Sequence, residues 1–166
     1  MLRWPSVLPA FAPIFRQQKT PSQTWNVPLT ACRVWWSTPP QKKIVVNLEN
    51  DNPVSEDPFF LVKVIEKVNS PWLHALPDFA NTLARFDEKH AYEGIDAMFA
   101  HAYCISHVKD GEPDEKGKLV HVDMARTFAF LKQHGYKGYL SMEFDQPGDP
   151  YRGTAELIET TVKYLS

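Results

Sequence analysis

Residues 43–68 read KIVVNLENDNPVSEDPFFLVKVIEKV, and the two ends of this stretch obey different periods. Lys43–Glu49 (KIVVNLE) is short, apolar and β-branched, which predicts a buried parallel strand. Asp57 offers a carboxylate N-cap, and Pro58 occupies the favoured first helical position. Leu61, Val64, Ile65 and Val68 follow at i, i+3, i+4 and i+7, one face of a helix that Asn69-Ser70-Pro71 ends. The unit is a strand and then a helix.

That unit recurs towards the C-terminus. Trp72–Asp78 (WLHALPD) is the next strand, stopped by Pro77, and Glu93–Phe99 is a helix of weaker periodicity. His101–Val108 is the third strand, followed by a polar loop containing Gly111, Pro113 and Gly117. Asp123 caps a helix with Met124, Phe128 and Leu131 on one face, closed by Gly135 just past its end. Gly138–Glu143 (GYLSME) is the fourth strand, and the last helix, after Gly153-Thr154, puts Ile158, Val162 and Leu165 on one face. Four strand-then-helix units predict an α/β fold with a parallel sheet.

Upstream, the composition breaks. Residues 1–40 hold Arg3, Arg16, Lys19 and Arg33 without one acidic residue, seven of the 14 prolines and four of the five tryptophans. The other 126 residues carry 14 basic and 20 acidic side chains. Prolines so spaced interrupt helices and central strands, so residues 1–40 read as an irregular Pro/Trp-rich extension and residues 41–166 as the folded domain. Three readings fit the extension: a disordered or non-native segment, a basic targeting peptide, or an ordered arm packed through its tryptophans. A cytoplasmic location is expected, or secretion if the segment is a targeting peptide.

Several classes fall away. A content of 43% hydrophobic residues builds a core, yet no run approaches the roughly 18 apolar residues of a membrane span. A net charge of −2 gives no footprint for nucleic acid. Cys32 and Cys104 lack metal-ligand spacing, and Cys104 reads as a small buried hydrophobe.

Each expected strand finishes on a side chain able to bind a hard cation: Glu49, Asp78, His107 and Glu143. The spacings are 29, 29 and 36 residues, close to the roughly 31 that one unit of a (β/α)8 barrel occupies. Ligands delivered one per unit at the C-terminal strand ends are what a metal site in a barrel mouth requires. Three carboxylates and an imidazole suit Mn²⁺, Mg²⁺, Co²⁺ or Zn²⁺. Acidic residues also cluster at strand ends by chance, and regular recurrence is the argument against that here.

Leu48-Glu49-Asn50, Pro77-Asp78-Phe79-Ala80-Asn81, His107-Val108-Lys109-Asp110 and Gly135-Tyr136-x-Gly138-Tyr139-x-x-x-Glu143 resemble the sugar phosphate isomerase/epimerase family of xylose isomerase-like TIM barrels. The resemblance spans about residues 43–165 and implies the C-terminal half of the barrel. It makes Glu49, Asp78, His107 and Glu143 the ligands of one divalent ion. It also makes Glu49 and Glu143 the proton-transferring pair of an isomerase or epimerase that works through an ene-diolate. The substrate it implies is a sugar, sugar phosphate or polyol, with Asn81 able to hydrogen-bond a sugar hydroxyl. Lys109, two residues after His107 on the same face, is a further candidate for contact with a substrate oxygen or phosphate, or else a solvated loop lysine.

Three positions depart from the pattern of relatives: Asn81 and Asp51 stand where many carry His, and Pro113 where several epimerases carry Arg. These departures, and the acidic domain, disfavour an endonuclease IV-like phosphodiesterase. Four units also imply a partner, a second copy or another chain, that completes the barrel. The contrasting reading is an inactive fragment or a sugar- or metal-binding module. His121 and Asp123 are weighed as further ligands, with Asp123 better explained as a helix cap.

Overall fold

The computed structural model describes residues 44–51 and 54–166. The extension proposed for residues 1–40, Cys32 and the expected strand start at Lys43 lie outside them. Strand β1 (Val46–Glu49) leads to helix α1 (Pro58–Val68), β2 (Leu73–Leu76), α2 (Glu88–Phe99) and β3 (Ile105–Val108). A hairpin of β4 (Gly111–Pro113) and β5 (Leu119–His121) follows, then α3 (Met124–Gln133), β6 (Tyr139–Met142) and α4 (Pro150–Leu165).

Strands β1 and β2 pair in parallel from Val46–Leu73 to Glu49–Leu76. Strands β3 and β6 pair likewise from Ile105–Tyr139 to Val108–Met142. Between the two pairs, parallel bridges join Ala75 to Ala102 and Asp78 to His107. Successive units are therefore spatial neighbours, the order of a barrel wall. Among the described residues β1 and β6 each pair on one side only, and the barrel is not closed.

All four helices among the described residues begin on an aspartate. Asp57, Asp87, Asp123 and Asp149 accept hydrogen bonds from the N–H groups of Phe59, His90, Arg126 and Tyr151, which helix geometry otherwise leaves unpaired. The α3 end is equally explicit. Gly135 takes φ +62°, its N–H donates to the Lys132 carbonyl, and the Tyr136 N–H donates to the Leu131 carbonyl. This left-handed closure is one glycine reaches without a Cβ penalty. Gly94 answers a different need: a Cβ there would sit 2.0 Å from Pro58 Cγ, so its absence lets α2 meet the start of α1.

The core lies between strands and helices. Phe79 packs edge-on against Phe99 and Phe128, with Ala91, Ile95, Leu131 and Leu157 around them. Along β2 and β3, buried residues alternate with half-exposed ones. Leu73, Ala75, Ser106 and Val108 point outward under the helices, while His74, Leu76, Ile105 and His107 point into the open concavity. Tyr139, in register with Ile105, is 81% exposed there. Strand β1, expected to be buried, is instead partly exposed at all four residues.

Three other expectations change. Helix α2 starts five residues before Glu93, because Asp87 supplies a cap. The polar loop after β3 is an antiparallel hairpin pairing Gly111 with His121 and Pro113 with Leu119. Helix α4 starts at Pro150 and buries Leu157 and Thr161, leaving Ile158, Val162 and Leu165 exposed. Thr161 enters the core because its hydroxyl donates to the Leu157 carbonyl at 2.8 Å. Cys104 precedes β3 and is half-buried, 3.3 Å from Asn47 Nδ2. Among the described residues, no helix is long and apolar enough to cross a membrane.

Candidate active site

Glu49 closes β1, Asp78 follows β2, His107 lies in β3 and Glu143 follows β6. The sheet brings all four together: one ligand atom from each falls within 4.8 Å of the others. His107 Nδ1 is 2.8 Å from Glu49 Oε1 and 3.0 Å from Glu143 Oε2. One ring N–H serves one acceptor, and the shorter contact goes to Glu49, so Glu143 Oε2 has no hydrogen bond.

Asp78 is held from all sides. Its Oδ1 accepts the Ala80 and Asn81 N–H groups at 2.9 and 2.8 Å. Its own N–H donates to Asn50 Oδ1 at 2.7 Å, and Asn50 Nδ2 returns a bond to the Asp78 carbonyl at 3.0 Å and another to Thr82 Oγ1 at 2.8 Å. Asp78 Oδ2 is left buried, without a hydrogen bond, facing the site. Burial pushes the Asp78 carboxyl up to about 7, against the opposing pull of Lys109. Two buried carboxylate oxygens left unpaired beside an imidazole nitrogen suit a divalent cation, which would satisfy all three at once.

Lys109 is 3% exposed and fully engaged. Its Nζ donates to Asn81 Oδ1 at 2.9 Å, Glu112 Oε2 at 3.2 Å and Asp145 Oδ2 at 3.2 Å. Asp78 Oδ2 and Glu143 Oε2 stand 3.9 and 3.7 Å away. Burial works against the ammonium, but Asp78, Glu112 and Glu143 outweigh it and hold its pKa above the ordinary lysine value. This one cation ties together the loop after β2, the hairpin and the loop after β6.

Of the other candidates, Asp123 caps α3 and His121 is exposed on β5, so neither joins the ligand cluster. Asn50, Glu112 and Asp145 carry no role in the sequence reading. Asn50 had a signal, lying next to Glu49 in a quoted motif, whereas Glu112 and Asp145 sit in segments read as loops.

The sequence profile of the xylose isomerase-like TIM barrel family matches residues 12–164, reaching back into the stretch that composition set apart. None of the curated proteins matches the chain. A similar solved structure is that of a 3-keto-D-glucoside 4-epimerase from E. coli, with TM-score 0.68 and 14% identity over 92% of this chain and 59% of that one. Another is a xylose isomerase domain protein from Planctomyces limnophilus, with TM-score 0.57 and 18% identity over 89% of this chain and 54% of that one. The chain therefore spans little more than half the length of these structural neighbours.

Proposed function

We propose, for a chain that belongs to the xylose isomerase-like TIM barrel family, a metal-dependent isomerase or epimerase activity on a sugar or related polyol. The observation that carries it is the convergence of Glu49, Asp78, His107 and Glu143 from four successive units within 4.8 Å. Glu49, Asp78, His107 and Glu143 would hold one divalent ion, Mn²⁺, Mg²⁺, Co²⁺ or Zn²⁺. When bound, it supplies Lewis-acid stabilisation of charge developing on a substrate carbonyl oxygen.

The protein's own groups do the rest. Glu49 Oε1 is turned to His107, which leaves its other oxygen to take a proton from the carbon beside the carbonyl. Glu143, across His107, would deliver a proton at the neighbouring position after taking one up itself, from solvent or by relay of the proton that Glu49 removed. Asn81 presents an amide to a sugar hydroxyl, with Lys109 fixing its orientation through Oδ1. Glu49→Gln and Glu143→Gln are each expected to abolish exchange of the substrate α-proton with tritiated water. Exchange at parental rates in both variants would sink this assignment.

The one-sided pairing of β1 and β6 favours a second statement about the same fold. A second half-barrel, from another copy of the chain or from another chain, completes the wall; without it the chain acts as a sugar- or metal-binding module. Among the described residues β1 and β6 each leave one edge unpaired, and such edges are costly in water. Sedimentation of the purified chain decides: a stable monomer with full exchange activity contradicts the need for a partner.

A further inference from the structure

Helix α4 (Pro150–Leu165) carries two faces of different character. Leu157 and Thr161 are buried, and the Tyr164 ring stacks on Phe128 of α3. Round the helix from them runs a second stripe of Tyr151, Ala155, Ile158, Val162 and Leu165, every one exposed. Tyr151 is 88% exposed and Val162 60%. Of the eight large apolar side chains exposed among the described residues, four stand on α4 and none on α1, α2 or α3. Single apolar residues on a surface are ordinary, but a contiguous set marks an interaction face.

The spacing tells what kind of element covers it. Steps of 4, 3, 4 and 3 residues follow the a and d positions of a heptad, the seam along which one helix packs on another. The flanks tell which helix. Arg152 and Glu159 border the seam on its solvent side, while Thr154 and Thr161 border it on the core side. Two antiparallel copies of α4, centred between Glu156 and Leu157, would set Tyr151 against Val162 and Ala155 against Ile158 of the second copy. In that register Arg152 lies opposite Glu159 of the second copy, and the twofold axis makes the ion pair twice. Arg152 already reaches Glu156 at 2.8 Å along its own helix, and a guanidinium has donors for both. A parallel pair would instead face Arg152 and Glu159 with threonines and gain no ion pair. Antiparallel packing also aligns the two helix dipoles favourably.

We infer that this face of α4 is a self-association seam, through which two copies of the chain pair by antiparallel α4 helices. A helix of 16 residues is only about 24 Å long. The pair therefore buries less than the roughly 1,600 Å² of a standard interface, which makes the dimer a weak, micromolar one. It engages α4 alone and neither strand edge, so it stands or falls independently of the isomerase reading.

Sedimentation equilibrium of the full chain, from micromolar to near-millimolar concentration, tests it. A reversible monomer–dimer equilibrium is expected. Val162→Lys sets a charge in the middle of the seam and is expected to weaken pairing at least about tenfold. Arg152→Glu sets like charges opposite each other twice and is expected to weaken it about tenfold. Arg152→Glu combined with Glu159→Arg reverses both ion pairs and is expected to restore the parental affinity. A chain that stays monomeric at every concentration overturns the inference, as does a dimer indifferent to Val162→Lys. If Val162→Lys does not fold, the two exposed flank positions decide alone. Loss on Arg152→Glu and recovery in the double swap uphold antiparallel pairing, and equal affinity of the three chains overturns it.

Discussion

Asn50 and Asp78 exchange hydrogen bonds in both directions, side chain to backbone, across the gap between the end of β1 and the end of β2. Asn50 is fully buried and spends its remaining amide proton on Thr82. The clip fixes the backbone of a ligand residue, and with it the direction of the unpaired Asp78 Oδ2.

Asn50→Ala is therefore expected to strand the Asp78 N–H and carbonyl in a dry interior. The expected loss is about 2–3 kcal/mol of stability, the cost of buried groups left unpaired. Divalent-ion affinity should fall about 10- to 100-fold, as when other partners that orient ligands are removed. Urea unfolding and Mn²⁺ titration of the same variant give both quantities. Affinity unchanged in a destabilised protein would show that the clip is structural only.

Metal loading should stabilise the chain, because a folded site binds and an unfolded one does not. At a free concentration one hundred times Kd, the gain is about 2.7 kcal/mol. Chelation should reverse it, and Glu143→Gln, lacking one of the unpaired oxygens' charge, should show a smaller gain. Thermal unfolding with and without Mn²⁺ measures this.

The pH dependence has a definite sign. The folded Asp78 carboxyl is raised by burial from 3.8 to about 7, so the metal-free native state keeps a proton that the unfolded chain has given up in that window. This contribution to stability is complete below about pH 3.8 and is lost as pH rises through about 7. Denaturant unfolding in chelator should show stability declining across that window, and Asp78→Asn should flatten the slope. Metal binding displaces the same proton, so affinity should weaken below about pH 7.

Lys109→Met removes the cation that four carboxylates share among the described residues. Breaking a buried ion network by deleting one partner costs about 3–5 kcal/mol, and that loss is expected here. Millimolar Mn²⁺ should restore part of it, since a divalent ion supplies positive charge to the same oxygens. Lys109→Arg should rescue poorly, because a planar guanidinium cannot match three convergent acceptors placed for an ammonium. Equal stability of parent and Lys109→Met in chelator would contradict the keystone role.

Much of this was legible in the chain. Asp57-Pro58 announced α1, and the Leu61, Val64, Ile65 face buried as its spacing predicts. The four ligand candidates could be picked out because each strand run ended on one. Asp149-Pro150 repeats the Asp57-Pro58 signal, yet the last helix was expected after Gly153, a residue that reads as a helix breaker. In the structure the missing Cβ of Gly153 makes room for the Phe144 ring, which would lie 2.1 Å from it. The apolar Ile158, Val162 and Leu165 face of α4 is not its buried one, because a threonine satisfied within its own helix stands on the buried side beside Leu157. The hairpin escaped notice since strands of three residues with Gly111 and Pro113 show no period. Lys109's partners come from three separate loops, a convergence that only the folded wall creates.

The alternation along β2 and β3 sorts their side chains into two non-overlapping sets. The residues that hold the wall to its helices are distinct from those that face the concavity. A designer, or natural drift, can rewrite the concave set to suit a new ligand while leaving folding free energy nearly intact. Specificity and robustness are thereby separable in this chain, residue by residue, with parity along the strand as the dividing rule.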